Sequence, residues 1–193
     1  MMRRAAFLLT LAVLAVAGCI RPQITPTAYY TLAPNISVEK AVPTERTLGV
    51  RPLRASLMYK TPLLYTQGLE VREYPHAEWA MKPADMVTRA ITDAIIATER
   101  FHDVGEASNV NRPELVLVGE LRKFETDHNA VPREAVCEVR LELRETFGTR
   151  LLWGDVLTAR VPLENEHISA VPQAMSRAVA EVANRAAAEV AKN

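Results

Sequence analysis

Cysteine is nearly absent from this chain: Cys19 and Cys137 are the two among 193 residues. A disulfide-stapled scaffold is excluded, because two thiols make one bridge at most. Glycine is sparse too. Gly49, Gly68, Gly105, Gly119, Gly148 and Gly154 stand singly, so no glycine-rich loop is available to cradle a phosphate. Net charge is missing as well, with 23 basic residues against 23 acidic ones. That removes the electrostatic grip nucleic acid requires, and no polybasic run points to anionic lipid head groups. The four histidines, His76, His102, His128 and His167, have no partner at metal-ligand spacing and read as surface residues. No serine occupies a Gly-x-Ser-x-Gly setting. An enzyme is therefore not expected, and neither is a cofactor or a metal.

Long apolar runs are also scarce, and the one present is informative. Residues 1–18 combine Arg3 and Arg4, an apolar stretch from Ala5 to Ala17, and Gly18. This is the three-part layout of a secretory signal peptide, and the stretch is shorter than the ~20 residues that span a bilayer. The sequence Val16-Ala17-Gly18-Cys19 resembles a bacterial lipobox. Small residues let the processing peptidase approach the backbone, and the cysteine thiol takes the lipid. Cys19 is thus the candidate lipidation site. Cleavage would remove 18 of 193 residues, leaving 175, with 21 basic against 23 acidic residues. Such a length suits one domain. Acyl chains on Cys19 would supply the membrane attachment, each buried methylene contributing ~0.8 kcal/mol.

Three parts are expected: a signal peptide over 1–18, a lipid-anchored tether over 19–28, and a single α+β periplasmic domain over 29–193. Tyr29-Tyr30-Thr31-Leu32 favours a strand and residues 36–46 a loop. Strands are expected over 47–53, 63–66 and 69–74, with a hairpin turn at Gln67-Gly68. Pro83 suits the first turn of a helix, and Met86, Val87, Ala90, Ile91, Ala94 and Ile95 recur at helical spacing to about Arg100. A short return segment, 101–104, follows. Residues 115–121 read as a central strand covered on both sides. In 135–144, Cys137, Val139, Leu141 and Leu143 alternate with charged residues, which places Cys137 in the core rather than in catalysis. The alternating charges read as a solvated face with cross-strand ion pairs. A third strand over 151–161 completes an antiparallel meander. A last helix spans about 169–191, with Met175, Val179, Val182, Ala186 and Val190 on one stripe. The fold class is α+β: a mostly antiparallel sheet with two main helices packed on one face.

Four residues stand out as candidate partner contacts. Trp79 precedes the first helix, where it either packs across the helix start or faces a partner. Met58, Tyr59 and Tyr65 belong to an apolar stretch that reads equally as a buried hairpin or an exposed patch.

The order of these features resembles a known family. A lipobox is followed by Tyr29-Tyr30-Thr31-Leu32, Leu48-Gly49-Val50-Arg51-Pro52, Leu63-Leu64-Tyr65-Thr66, Glu70 to Tyr74, and Trp79-Ala80 before an amphipathic helix. This is similar to the ABC-type transport auxiliary lipoproteins, the PqiC-like family, over most of the mature chain. The family's usual Trp-Ala-Glu-Pro-Leu type run is here Trp79-Ala80-Met81-Lys82-Pro83. The resemblance implies a docking subunit that accompanies an ABC transporter and an MCE-type periplasmic protein, moving lipids or other apolar compounds across the Gram-negative envelope. Ile20 after Cys19, in place of an aspartate, favours the outer membrane, periplasmic face. Two other readings stay open: a carrier that encloses an acyl chain, and a structural or assembly lipoprotein of the outer membrane. A homo-oligomer also stays open.

Overall fold

The computed structural model describes residues 25–147 and 150–193. The signal segment and Cys19 lie outside the described residues. Nine strands form one mixed sheet: β1 (Ala28–Tyr30), β2 (Thr44–Val50), β3 (Arg54–Ala55), β4 (Pro62–Gln67), β5 (Glu70–Trp79), β6 (Phe101–Glu106), β7 (Leu115–Asp127), β8 (Glu134–Glu145) and β9 (Leu151–Pro162). The helices among the described residues are α1 (Pro83–Ala97) and α2 (Ala170–Ala191). Antiparallel pairing dominates through the β7–β8–β9 meander and the β4–β5 hairpin. The α+β architecture expected from the sequence is the one observed.

Strand β7 is the spine. Along one edge it carries β8 for nearly its whole length. Along the other it takes three parallel partners in turn: β2 at Leu115–Leu117, β3 at Glu120 and Leu121, and β4 at Thr126 and Asp127. Strand β6 extends the sheet beyond β2, and β5 and β1 extend it beyond β4. The expected return segment over 101–104 is thus strand β6. The strand expected over 47–53 begins earlier, at Thr44, and ends at Val50, before Pro52.

Helix α1 starts after Lys82 with Pro83 in its first turn, where an N–H would have no partner, and Asp85 complements the positive helix end. It closes at Thr98, whose hydroxyl donates to the Ile95 carbonyl at 2.6 Å, and Glu99 turns the chain away with φ 54°. Its apolar face is buried from Ala84 to Ile95, as the spacing predicts. Helix α2 buries Met175, Val179, Val182, Ala186 and Val190, and its many alanines let it lie close to β8, β9 and α1. Cys137, Val139, Leu141 and Leu143 of β8 are fully buried beneath it.

Residues 31–41 form an extended strap across the helices. Leu32, Ile36 and Val38 pack on the core from alternate positions. The Ala33 N–H donates to Ser176 Oγ at 3.1 Å, Ser37 N–H to Asn184 Oδ1 at 3.1 Å, and Ala41 N–H to the Thr98 carbonyl at 2.8 Å. The strap satisfies its backbone on helix side chains and turns instead of on a neighbouring strand.

Candidate partner interface

With both helices on one side of the sheet, the other side of β7, β8 and β9 carries no helix among the described residues, although Val136 on that side is buried. Its alternating charges are paired, but mostly along a strand rather than across it. Glu142 accepts from Arg140 Nη2 at 2.7 Å and from Arg144 Nη2 at 2.7 Å, and Arg122 lies 3.7 Å from Glu120. Residues i and i+2 share a face at a separation that an arginine side chain spans easily. The exception is Arg160 of β9, which reaches Asp127 at 3.1 Å and Glu134 at 3.3 Å across neighbouring strands. The Arg144 guanidinium holds the Glu142 carboxyl below its usual pKa. Burial works against the charge of Asp127, but the Asn129 N–H and Arg160 outweigh it and its pKa is lowered. Val116 and Val118 on this side of β7 are half-buried; the second covering layer expected over 115–121 is not there.

The four candidate contacts fall in different environments. Trp79 is the last residue of β5, 2 % exposed, with its ring edge-on to Phe124 at 5.2 Å. Of its two readings, this burial matches packing: Trp79 sits within the core and leaves no face for a partner. Tyr59 is also buried, and its hydroxyl donates to Glu125 Oε2 at 2.5 Å, while Thr66 Oγ1 donates to Glu125 Oε1 at 2.9 Å. Burial, then the neighbouring Glu125 carboxylate, push the Tyr59 phenol well above its usual pKa. Leu63 and Leu64 are buried with it, so the apolar stretch is mainly core. Met58 is exposed, beside exposed Leu57. Tyr65 is half-buried, stacked on His128 with ring centroids 4.3 Å apart.

His128 is the residue that sequence reasoning missed. It stands in the β7–β8 turn, and its Nε2 lies 2.6 Å from the Tyr74 hydroxyl. Burial, then the Arg133 charge, lower its pKa. The other three histidines are exposed. Nothing in the sequence spacing joins Tyr65, Tyr74 and His128; the parallel pairing of β4 with the end of β7 brings them together.

Cys137 is fully buried, and burial pushes its thiol up to about 12, far from a reactive thiolate. Among the described residues, no group of three His, Cys, Asp or Glu is placed to hold a metal ion. No helix among them is long and apolar enough to cross a membrane. Grooves of about 430 and 500 Å³ flank the strap, lined in part by Asn184 and Ala188, and by Ser176 and Ala180. They run along the surface of α2, outside the core.

The sequence profile of the ABC-type transport auxiliary lipoprotein components matches residues 30–187. The chain belongs to this family. It is accordingly an auxiliary lipoprotein of a transport system in the cell envelope. No curated protein matches it. Among solved structures, the fold is shared with protein XCC0632 from Xanthomonas campestris, at 19% identity and TM-score 0.79, covering 86% of this chain and 95% of that one. It is shared also with the hypothetical protein CT253 from Chlamydia trachomatis, at 9% identity and TM-score 0.55, covering 77% and 96%. At these identities the likeness is one of fold.

Proposed function

We propose that this family member is a lipid-anchored docking subunit, held by acyl chains on Cys19 to the outer membrane and facing the periplasm. Its partners are an MCE-type periplasmic protein and, through it, an ABC transporter that moves lipids or other apolar compounds. The observation that carries this reading is the family match over residues 30–187, on a fold whose two helices lie on one side of the sheet. The other face is polar and its charges are pre-paired, with Val156 exposed opposite Arg140, a composition suited to a protein surface. The carrier reading needs an enclosed apolar cavity of several hundred Å³. Here Leu121, Phe124, Leu141 and Val179 fill the space between sheet and helices. Native mass spectrometry after mild extraction separates the readings. A copurified MCE-type protein supports the docking subunit; one lipid molecule per chain with no protein partner supports the carrier.

A further inference from the structure

Two turns at one end of the sheet are locked into a single apolar tip. The β4–β5 turn carries Leu69, fully exposed, and the β7–β8 turn carries Val131, 98% exposed. Gly68 N–H donates to Asn129 Oδ1 at 2.7 Å, and Asn129 Nδ2 donates back to the Gly68 carbonyl at 3.3 Å. Val71, also exposed, continues the apolar surface onto β5. The charges flanking the tip are paired in place, Glu70 with Arg72, and Asp127 and Glu134 with the single guanidinium of Arg160. Leu69 and Val131 are the two most exposed large apolar side chains among the described residues.

The chain's own attachment points at this tip. Strand β1 pairs parallel with β5, with Ala28 beside Ala77. Running backwards from Ala28, the chain therefore heads along β5 toward Leu69. Eight residues separate Leu69 from Ala77, about 26 Å of strand at ~3.3 Å each. Nine residues separate Cys19 from Ala28, a reach of at most ~30 Å. A tether of that length lets a lipid on Cys19 reach the plane of the tip at Leu69 and Val131. Phe147 and Leu151, the exposed apolar residues of the β8–β9 turn, lie at the opposite end of the sheet.

We infer that Leu69 and Val131 dock on the membrane that holds the Cys19 lipid, so that the domain stands on its β4–β5 and β7–β8 turns with the β8–β9 turn pointing away. The inference rests on the lipid anchor of the proposed function. The shallow aliphatic pair adds orientation to an attachment that the acyl chains already secure.

The test uses the full-length protein, purified from membranes and reconstituted into phosphatidylethanolamine–phosphatidylglycerol vesicles doped with dibrominated phosphatidylcholine, a contact quencher of tryptophan. Leu69→Trp and Val131→Trp are compared with Phe147→Trp at the far end. Buried Trp79 provides a constant background, and Trp153 lies near the far end of β9. Leu69→Trp and Val131→Trp should lose most of their added emission and shift to the blue, while Phe147→Trp keeps its own. The mass of the N-terminal peptide is read on the same sample. Acylated Cys19 with all three variants unquenched, or with Phe147→Trp quenched instead, overturns the docking and leaves the anchor standing. An N-terminal peptide without acyl mass overturns the anchor and the docking together. A Leu69→Trp signal that ignores bromolipid but shifts with protein concentration in detergent assigns the tip to a second copy of the chain and overturns the membrane assignment.

Discussion

Asn129 holds Gly68 from both sides of its backbone, accepting from the N–H and donating to the carbonyl, across 61 residues of sequence. One side chain thereby makes two turns of different hairpins move as one. Gly68 itself sits at φ 63°, a conformation glycine adopts freely.

Asn129→Ala should therefore uncouple the turns with a small global cost, about 1 kcal/mol for solvent-exposed hydrogen bonds. Hydrogen exchange should quicken at the Gly68 amide and leave the β8 core amides unchanged. Unchanged protection at Gly68 would show that the turns are held by something else.

Gly119 faces Leu141 in the β7–β8 register. A methyl group there would lie 2.7 Å from Leu141 Cδ2 and 2.8 Å from Leu53 Cδ2, and closer still to the Arg140 carbonyl. All three neighbours are backbone or core, so Gly119→Ala should destabilise by about 1–3 kcal/mol, the usual cost of overpacking. Denaturant unfolding checks this; a midpoint equal to wild type would mean that the strands separate freely at this point.

The elements that were legible in the sequence were those with a clean period. β8 alternates from Cys137 to Arg144, α1 and α2 keep apolar residues three and four apart, and proline marks the start of α1. What was illegible depends on distant partners. Nothing local announces that β2, β3 and β4 share one edge of β7. Strand β5 continues past Pro75 to Trp79 because residues 74–76 fall in the irregular gap between pairs Leu64–Glu73 and Pro62–Glu78, where a missing N–H is tolerated and His76 takes φ 53°. The aromatic group of Tyr65, Tyr74 and His128 exists only once β4 has found the end of β7.

His128 gives that group a pH dependence. Its pKa is lowered in the folded protein, so folding favours the neutral ring. The associated stability is complete above the unfolded pKa of ~6.5 and is lost as pH falls through the lowered folded value. His128→Gln should flatten the change in melting temperature between pH ~7 and ~5. Proton NMR of the imidazole supplies the direct check: a midpoint at or above ~6.5 would contradict the burial argument.

Cys19→Ala should leave the domain folded and abolish stable membrane attachment, because the acyl chains supply the binding free energy. The aliphatic tip alone is too small to replace them. Fractionation with a detergent-free, high-salt wash decides the matter. Sedimentation of the variant with membranes would reveal a second anchor.

Leu141 and Glu142 test the two sides of the sheet at adjacent positions. Leu141 is fully buried under the helices, whereas Glu142 is on the opposite face between Arg140 and Arg144. Leu141→Asp buries a carboxylate with no partner, at a cost of several kcal/mol unless it takes up a proton. Against a total stability of ~5–15 kcal/mol, cooperative unfolding should be lost. Glu142→Gln breaks surface ion pairs and should cost no more than ~1 kcal/mol at neutral pH. Its effect has a sign with pH: the Glu142 carboxyl has a lowered pKa, so its contribution is present above the unfolded value of ~4.3 and disappears as pH falls through the folded one. Wild type and Glu142→Gln should converge in acid. Thermal melts of the chain without its first 19 residues provide the comparison; equal melting temperatures for Leu141→Asp and Glu142→Gln at pH ~7 would contradict the assignment of core and opposite faces along β8.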